Sequence, residues 1–137
     1  MKNKSLPADY LKRAEARLAA IDTLFKLDSW ADVVRESQEA VELALKSLIQ
    51  AANIECPRVH DVGDVLLDNR ASFPKDIQAQ LPELAQISRS LRRDRELAFY
   101  GSEDLTPTDF YKKEDAQKAL ADATQVIQAV RRVLPKA

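Results

Sequence analysis

Between positions 89 and 95 the chain carries Arg89, Arg92, Arg93 and Arg95 against the single carboxylate of Asp94. Guanidinium forks match phosphate oxygens, so such a stretch suits a phosphate-facing patch as well as a solvated helix face. Arg95 stands apart from the others. Leu84, Ser88, Leu91, Arg95 and Ala98 follow steps of four, three, four and three, which on a helix sets Arg95 in the apolar stripe while Arg89 and Arg93 point elsewhere. An unpaired charge there is costly to bury, so Arg95 needs acceptors. These are either an internal carboxylate, such as Glu42 or Asp94, or an anion held in a groove between helices. Phe99 and Tyr100 come next, able to stack on a base or to close the core at the helix end.

His60 is the one histidine and titrates near neutral pH in an ordinary setting. It stands in a connector with Asp61 and Asp64 nearby, where capping a loop is as natural a task as touching a ligand. Other chemistries lack their residues. Two isolated glycines cannot build a phosphate-cradling loop. One histidine and one cysteine cannot make a zinc set, the carboxylates lack a coordinating pattern, and neither a metal nor another cofactor is expected. Glu83, Glu96 and the other acidic residues show no acid/base pairing, and no Ser/His/Asp pattern has local context.

The elements that must position these residues are helical. Long Ala/Leu/Glu/Lys/Arg segments favour helix, and two glycines and six prolines supply too little turn chemistry for an all-β chain. The 137 residues fit one domain, 1–137, large enough for its own core. Leu11, Ala14, Leu18, Ile21 and Phe25 mark a first helix over about 7–27, opened by Pro7. Ser29 is a natural N-cap for a second helix over about 30–53, with Asp32 in its first turn. On that helix Trp30, Val33, Val34, Ser37, Val41, Ala44, Leu45, Leu48 and Ala52 share one face. Arg35, Glu42 and Lys46 form a polar flank with Gln38 at its edge.

A short helix follows the connector at 54–60, with Val62, Val65 and Leu66 inward, and residues 69–74 turn. Helical character returns from Asp76 and is interrupted or restarted at Pro82, which has no amide proton. The next helix runs over about 83–99 and stops at Gly101. Residues 102–111 make a long surface loop in which Thr106-Pro107 starts a turn. The last helix runs over about 113–134 through Ala116, Leu120, Ala123, Ile127, Val130 and Leu134. The expected fold is an all-α antiparallel bundle of four long helices and one short one. No apolar run approaches the roughly 20 residues of a membrane span, and the basic start at 1–6 leads into no apolar leader segment. Cys56 has no internal partner for a disulfide, which suits a reducing, cytoplasmic setting. The net charge of −1 argues against a nucleic-acid binder that uses its whole surface.

The order of these pieces resembles the HEPN family, helical domains named for their occurrence in higher eukaryotes and prokaryotes and for nucleotide binding. The resemblance covers roughly Trp30 to Leu134. It rests on Gln38-Glu39-Ala40-Val41-Glu42 leading to Lys46, on His60-Asp61-Val62-Gly63 before Leu66-Leu67, on Arg95-Glu96-Leu97-Ala98-Phe99-Tyr100-Gly101, and on Tyr111 with Glu114-Asp115-Ala116. It implies a helical bundle that dimerises, with helix 1 packed on the family core at about 30–134. Some members are metal-independent endoribonucleases, and others accompany small nucleotidyltransferases in toxin–antitoxin pairs.

The ribonuclease members carry an Arg and a His separated by four to six intervening residues. Here the matching arginine is Arg95, and positions 100, 101 and 102 are Tyr, Gly and Ser. Metal-free RNA cleavage needs a group that moves a proton near neutral pH, and a tyrosine, with a reference pKa of about 10, is a poor replacement. The resemblance therefore implies a homodimeric module that binds nucleotide or RNA phosphate beside a nucleotidyltransferase partner, with Arg95, Arg92, His60, Tyr100 and Lys46 as ligand contacts. A ribonuclease using Arg95 with His60 or Tyr100 is the alternative, and an assembly domain without a ligand is the third. No membrane partner is expected.

Overall fold

A computed structural model describes residues 5–55, 62–100 and 106–134, with side chains for all of these except 94–100. The described elements are α1 (Leu6–Lys26), α2 (Trp30–Ala51), α3 (Val62–Asp68), α4 (Lys75–Gln78), α5 (Leu81–Tyr100), α6 (Pro107–Phe110) and α7 (Lys113–Val133), with a 3-10 turn at Arg70–Ser72. The all-α expectation holds. The four long helices fall where their periodicity sets them, but three short α-helices stand between them where one was expected. Pro82 is the second residue of α5, where a missing amide proton costs nothing, so the helix starts there instead of kinking.

The α1 stripe is as the pattern implies. Leu11, Ala14 and Ile21 are buried, and Leu18 and Phe25 pack on the core from its edge. The chain reverses through Asp28, whose φ of 57° lies in the left-handed region, and Ser29 precedes α2. The Ser29 hydroxyl donates to Asp32 at 2.7 Å and does not accept from a helix amide, so the expected cap residue is in place without its capping bond. Ser47 Oγ donates to the Pro7 carbonyl at 2.6 Å, and Arg17 Nη1 pairs with Glu36 Oε1 at 2.8 Å. These two contacts run in opposite chain order, so α1 and α2 lie antiparallel.

α2 is the central element, packed against α1, α3, α5, α6 and α7. Its burial accordingly wraps round most of the helix. Ala31, Ala40, Ser47 and Ile49 are buried beside the expected face, and so is Gln38, which the sequence placed at the edge of the polar flank. With neighbours on several sides, the apolar stripe of a two-sided helix no longer marks the limit of its contacts. Small residues on α2 and α7, among them Ala40, Ala44, Ala116 and Ala123, are fully buried and suit close helix packing.

α3 presses on α5 at one point in particular. A Cβ added to Gly63 would meet the Ala85 Cβ and carbonyl oxygen at 3.2 Å and its Cα at 3.3 Å. Within the loop expected at 102–111, Thr106 Oγ1 accepts from the Asp109 amide at 3.2 Å and starts α6, while Tyr111 is buried. Asp115 closes the start of α7 by accepting from the Lys112 amide at 2.8 Å. Among the described residues no helix is long and apolar enough to cross a membrane.

Candidate functional site

The arginine-bearing helix is α5. Leu84, Ser88 and Leu91 of the expected stripe are buried, with Leu81, Ala85 and Ile87 buried beside them, and the side chains of Arg95 and Ala98, its other two members, lie outside what the structure describes. Arg89, Arg92 and Arg93 are exposed, and two of them reach different neighbours. Arg89 Nη2 lies 3.2 Å from Asp64 Oδ1 of α3. Arg92 Nε lies 4.0 Å from Glu42 Oε1 of α2. One turn further along α2, Lys46 Nζ lies 4.0 Å from Glu42 Oε2.

The sequence candidates Lys46 and Arg92 are therefore brought together over one carboxylate at the α2–α5 seam. Their side chains are 47% and 40% exposed, against 15% for Glu42, so the cations face solvent and the carboxylate sits beneath them. Glu42 was weighed in the sequence as a partner for Arg95, and what it holds among the described side chains is Arg92 and Lys46. His60 lies outside the described residues, as do Cys56 and Gly101. Arg95 and Tyr100 lie on the described backbone of α5, but their side chains, like those of Asp94 and Phe99, are outside what the structure describes.

Two features of the site were not visible in the sequence. One is the Asp64–Arg89 pair, which depends on α3 folding back along α5. The other is a set of buried polar groups on the two helices of the seam. Ser37 and Gln38 on α2 and Ser88 on α5 are buried, and Ser37 Oγ, Gln38 Oε1, Ser88 Oγ and Glu42 Oε1 make no hydrogen bond. Buried polar groups ordinarily find partners, so oxygens of this kind on both helices mark the α2–α5 pair as unusual. Among the described residues no three His, Cys, Asp or Glu side chains come together to hold a metal.

The family model of the HEPN domain matches residues 8–133. The chain belongs to the HEPN family. The match takes in nearly all of α1 as well as the later helices from which the resemblance was drawn. A candidate toxin of Methanocaldococcus jannaschii is 28% identical over 128 residues, covering 89% of this chain and 84% of that protein. No solved structure gives a significant match. The Lys46–Glu42–Arg92 group lies where α5 meets α2, within the matched residues.

Proposed function

We propose that this HEPN domain is a homodimeric module that binds nucleotide or RNA phosphate at the α2–α5 seam and works beside a nucleotidyltransferase partner in a toxin–antitoxin-type pair. The observation that carries the reading is the convergence of Lys46 and Arg92, both open to solvent, over the half-buried Glu42. Arginine supplies a planar fork for phosphate oxygens and lysine a mobile point charge, so the two together suit an oxyanion. The family membership and the toxin description of the archaeal relative support the biological setting. Arg95, His60 and Tyr100 complete the proposed contacts on the strength of the motif.

Titration of a labelled single-stranded RNA and of ATP tests the reading. The wild type binds at least one of them in a salt-sensitive manner, and Arg92→Met and Arg95→Met weaken binding with little change in melting temperature. Absence of binding to both by the wild type would refute it. The departure from the ribonuclease motif, with Tyr100 and Gly101 where the histidine is sought, is why binding ranks above cleavage. RNA cleavage that persists in EDTA and disappears in Arg95→Ala would instead establish the ribonuclease.

A further inference from the structure

Carboxylates on α2 meet cations in two different ways. Glu36 is bonded directly, to Arg17 at 2.8 Å and to Arg35 at 2.6 Å. Glu42 is not. Its two cations each stand 4.0 Å away, beyond hydrogen-bond length, and Oε1 is buried with no hydrogen bond at all. An ionised oxygen shielded from water ordinarily draws its donors in to charge-assisted distances. At Glu42 the attraction is exerted through the field alone, so the cations give up no hydrogen bond to this carboxylate when they turn to another anion.

We infer that Glu42 is the resident counter-ion of an anion site made by Lys46 and Arg92, holding both cations in place in the free protein and opposing the phosphate that replaces it. This rests on the phosphate-binding reading and adds a sign to it. The side chains of Lys46 and Arg92 are both more than a third exposed, so a phosphate group can reach them, and its oxygens offer the bonded geometry that Glu42 lacks. The bound phosphate then shares its two cations with a negative charge lying beneath them. Glu42 thus sets the affinity below what the two cations alone would reach, and the site fills only with ligands of high negative charge. The ligand chemistry is a phosphate oxyanion, whether from a free polyphosphate or from an RNA backbone.

The test compares the wild type, Glu42→Gln and the double variant Glu42→Gln/Arg92→Met, with inorganic triphosphate by calorimetry and with a short labelled single-stranded RNA by fluorescence anisotropy. Removing one charge several ångströms from a partly solvated phosphate should tighten binding by about three- to tenfold. Tightening for triphosphate alone identifies a free polyphosphate as the ligand, and tightening for RNA alone identifies the backbone. The gain should vanish in the double variant. Binding by Glu42→Gln that is unchanged or weaker, or a gain that survives in the double variant, would overturn the inference. A Glu42→Gln protein that no longer folds would also overturn it, by making Glu42 part of the scaffold. If the wild type binds neither probe and Glu42→Gln binds one, the counter-ion stands and the native phosphate-binding reading falls. If the wild type binds and Glu42→Gln is no tighter, the reverse holds, and binding by neither variant defeats both.

Discussion

Three buried serines give the sharpest test of the packing described above. Ser37, Ser47 and Ser88 are all within 2% of complete burial, and all lie on long helices. Ser47 donates to the Pro7 carbonyl at 2.6 Å, whereas Ser37 Oγ and Ser88 Oγ have no partner. Replacing each by alanine adds about 0.5 kcal/mol of helix propensity, a term common to all three. At Ser47 the substitution removes a hydrogen bond whose net contribution is about 1 kcal/mol, so Ser47→Ala should destabilise by about 0.5 kcal/mol. At Ser88 it removes an oxygen whose unpaired burial costs about 1–2 kcal/mol, and only a single atom of packing is lost. Ser88→Ala should therefore stabilise by about 1–2 kcal/mol, and Ser37→Ala by a similar amount. Urea unfolding measures this directly. At an unchanged slope, the midpoint of Ser88→Ala should rise by about 0.5–1 M while that of Ser47→Ala falls slightly. A fall for all three would refute the reasoning, because it would mean that the hydroxyls of Ser37 and Ser88 are satisfied in solution.

Gly63→Val should destabilise by about 1–3 kcal/mol, since the added atoms meet the Ala85 backbone as well as its side chain, and a thermal melt should fall by several degrees. Arg131→Met removes the pairing with Glu15 between α7 and α1, but both partners are more than a third exposed. Its cost should stay below about 0.5 kcal/mol in the same melt and shrink further in high salt. Light scattering should return the mass of a homodimer, and a monomer mass at high micromolar concentration would remove the assembly from the proposed function.

Helix positions were legible because the chain repeats its apolar residues at helical spacing and punctuates them well. Leu11, Ala14 and Ile21, or Ala116, Ala123, Ile127 and Val130, announce one-sided helices, and they are buried as announced. Gln38 was misplaced because periodicity sorts residues by type, while burial depends on how many neighbours a helix has. Pro82 was ambiguous for a related reason. A proline marks a first turn or a break, and the difference lies in whether Leu81 begins a helix or continues one. The site was legible only in its members. Lys46 and Arg92 were both named from the sequence, but their meeting over Glu42 depends on the rotation of α5 about its axis. A four-residue spacing on one helix cannot disclose which carboxylate another helix brings to it.

The central place of α2 also bears on how the chain comes off the ribosome. α1 and α2 are neighbours in sequence and pack together as an antiparallel pair, so their mutual contacts can form as soon as about 50 residues have emerged. The remaining surface of α2 must wait for α5 and then for α7, which begins more than 60 residues after α2 ends. Until α7 arrives, the growing chain presents an uncovered part of α2 to solvent. A chain cut short before Lys113 never receives that cover, and it should be recognised by chaperones and proteases as unfinished.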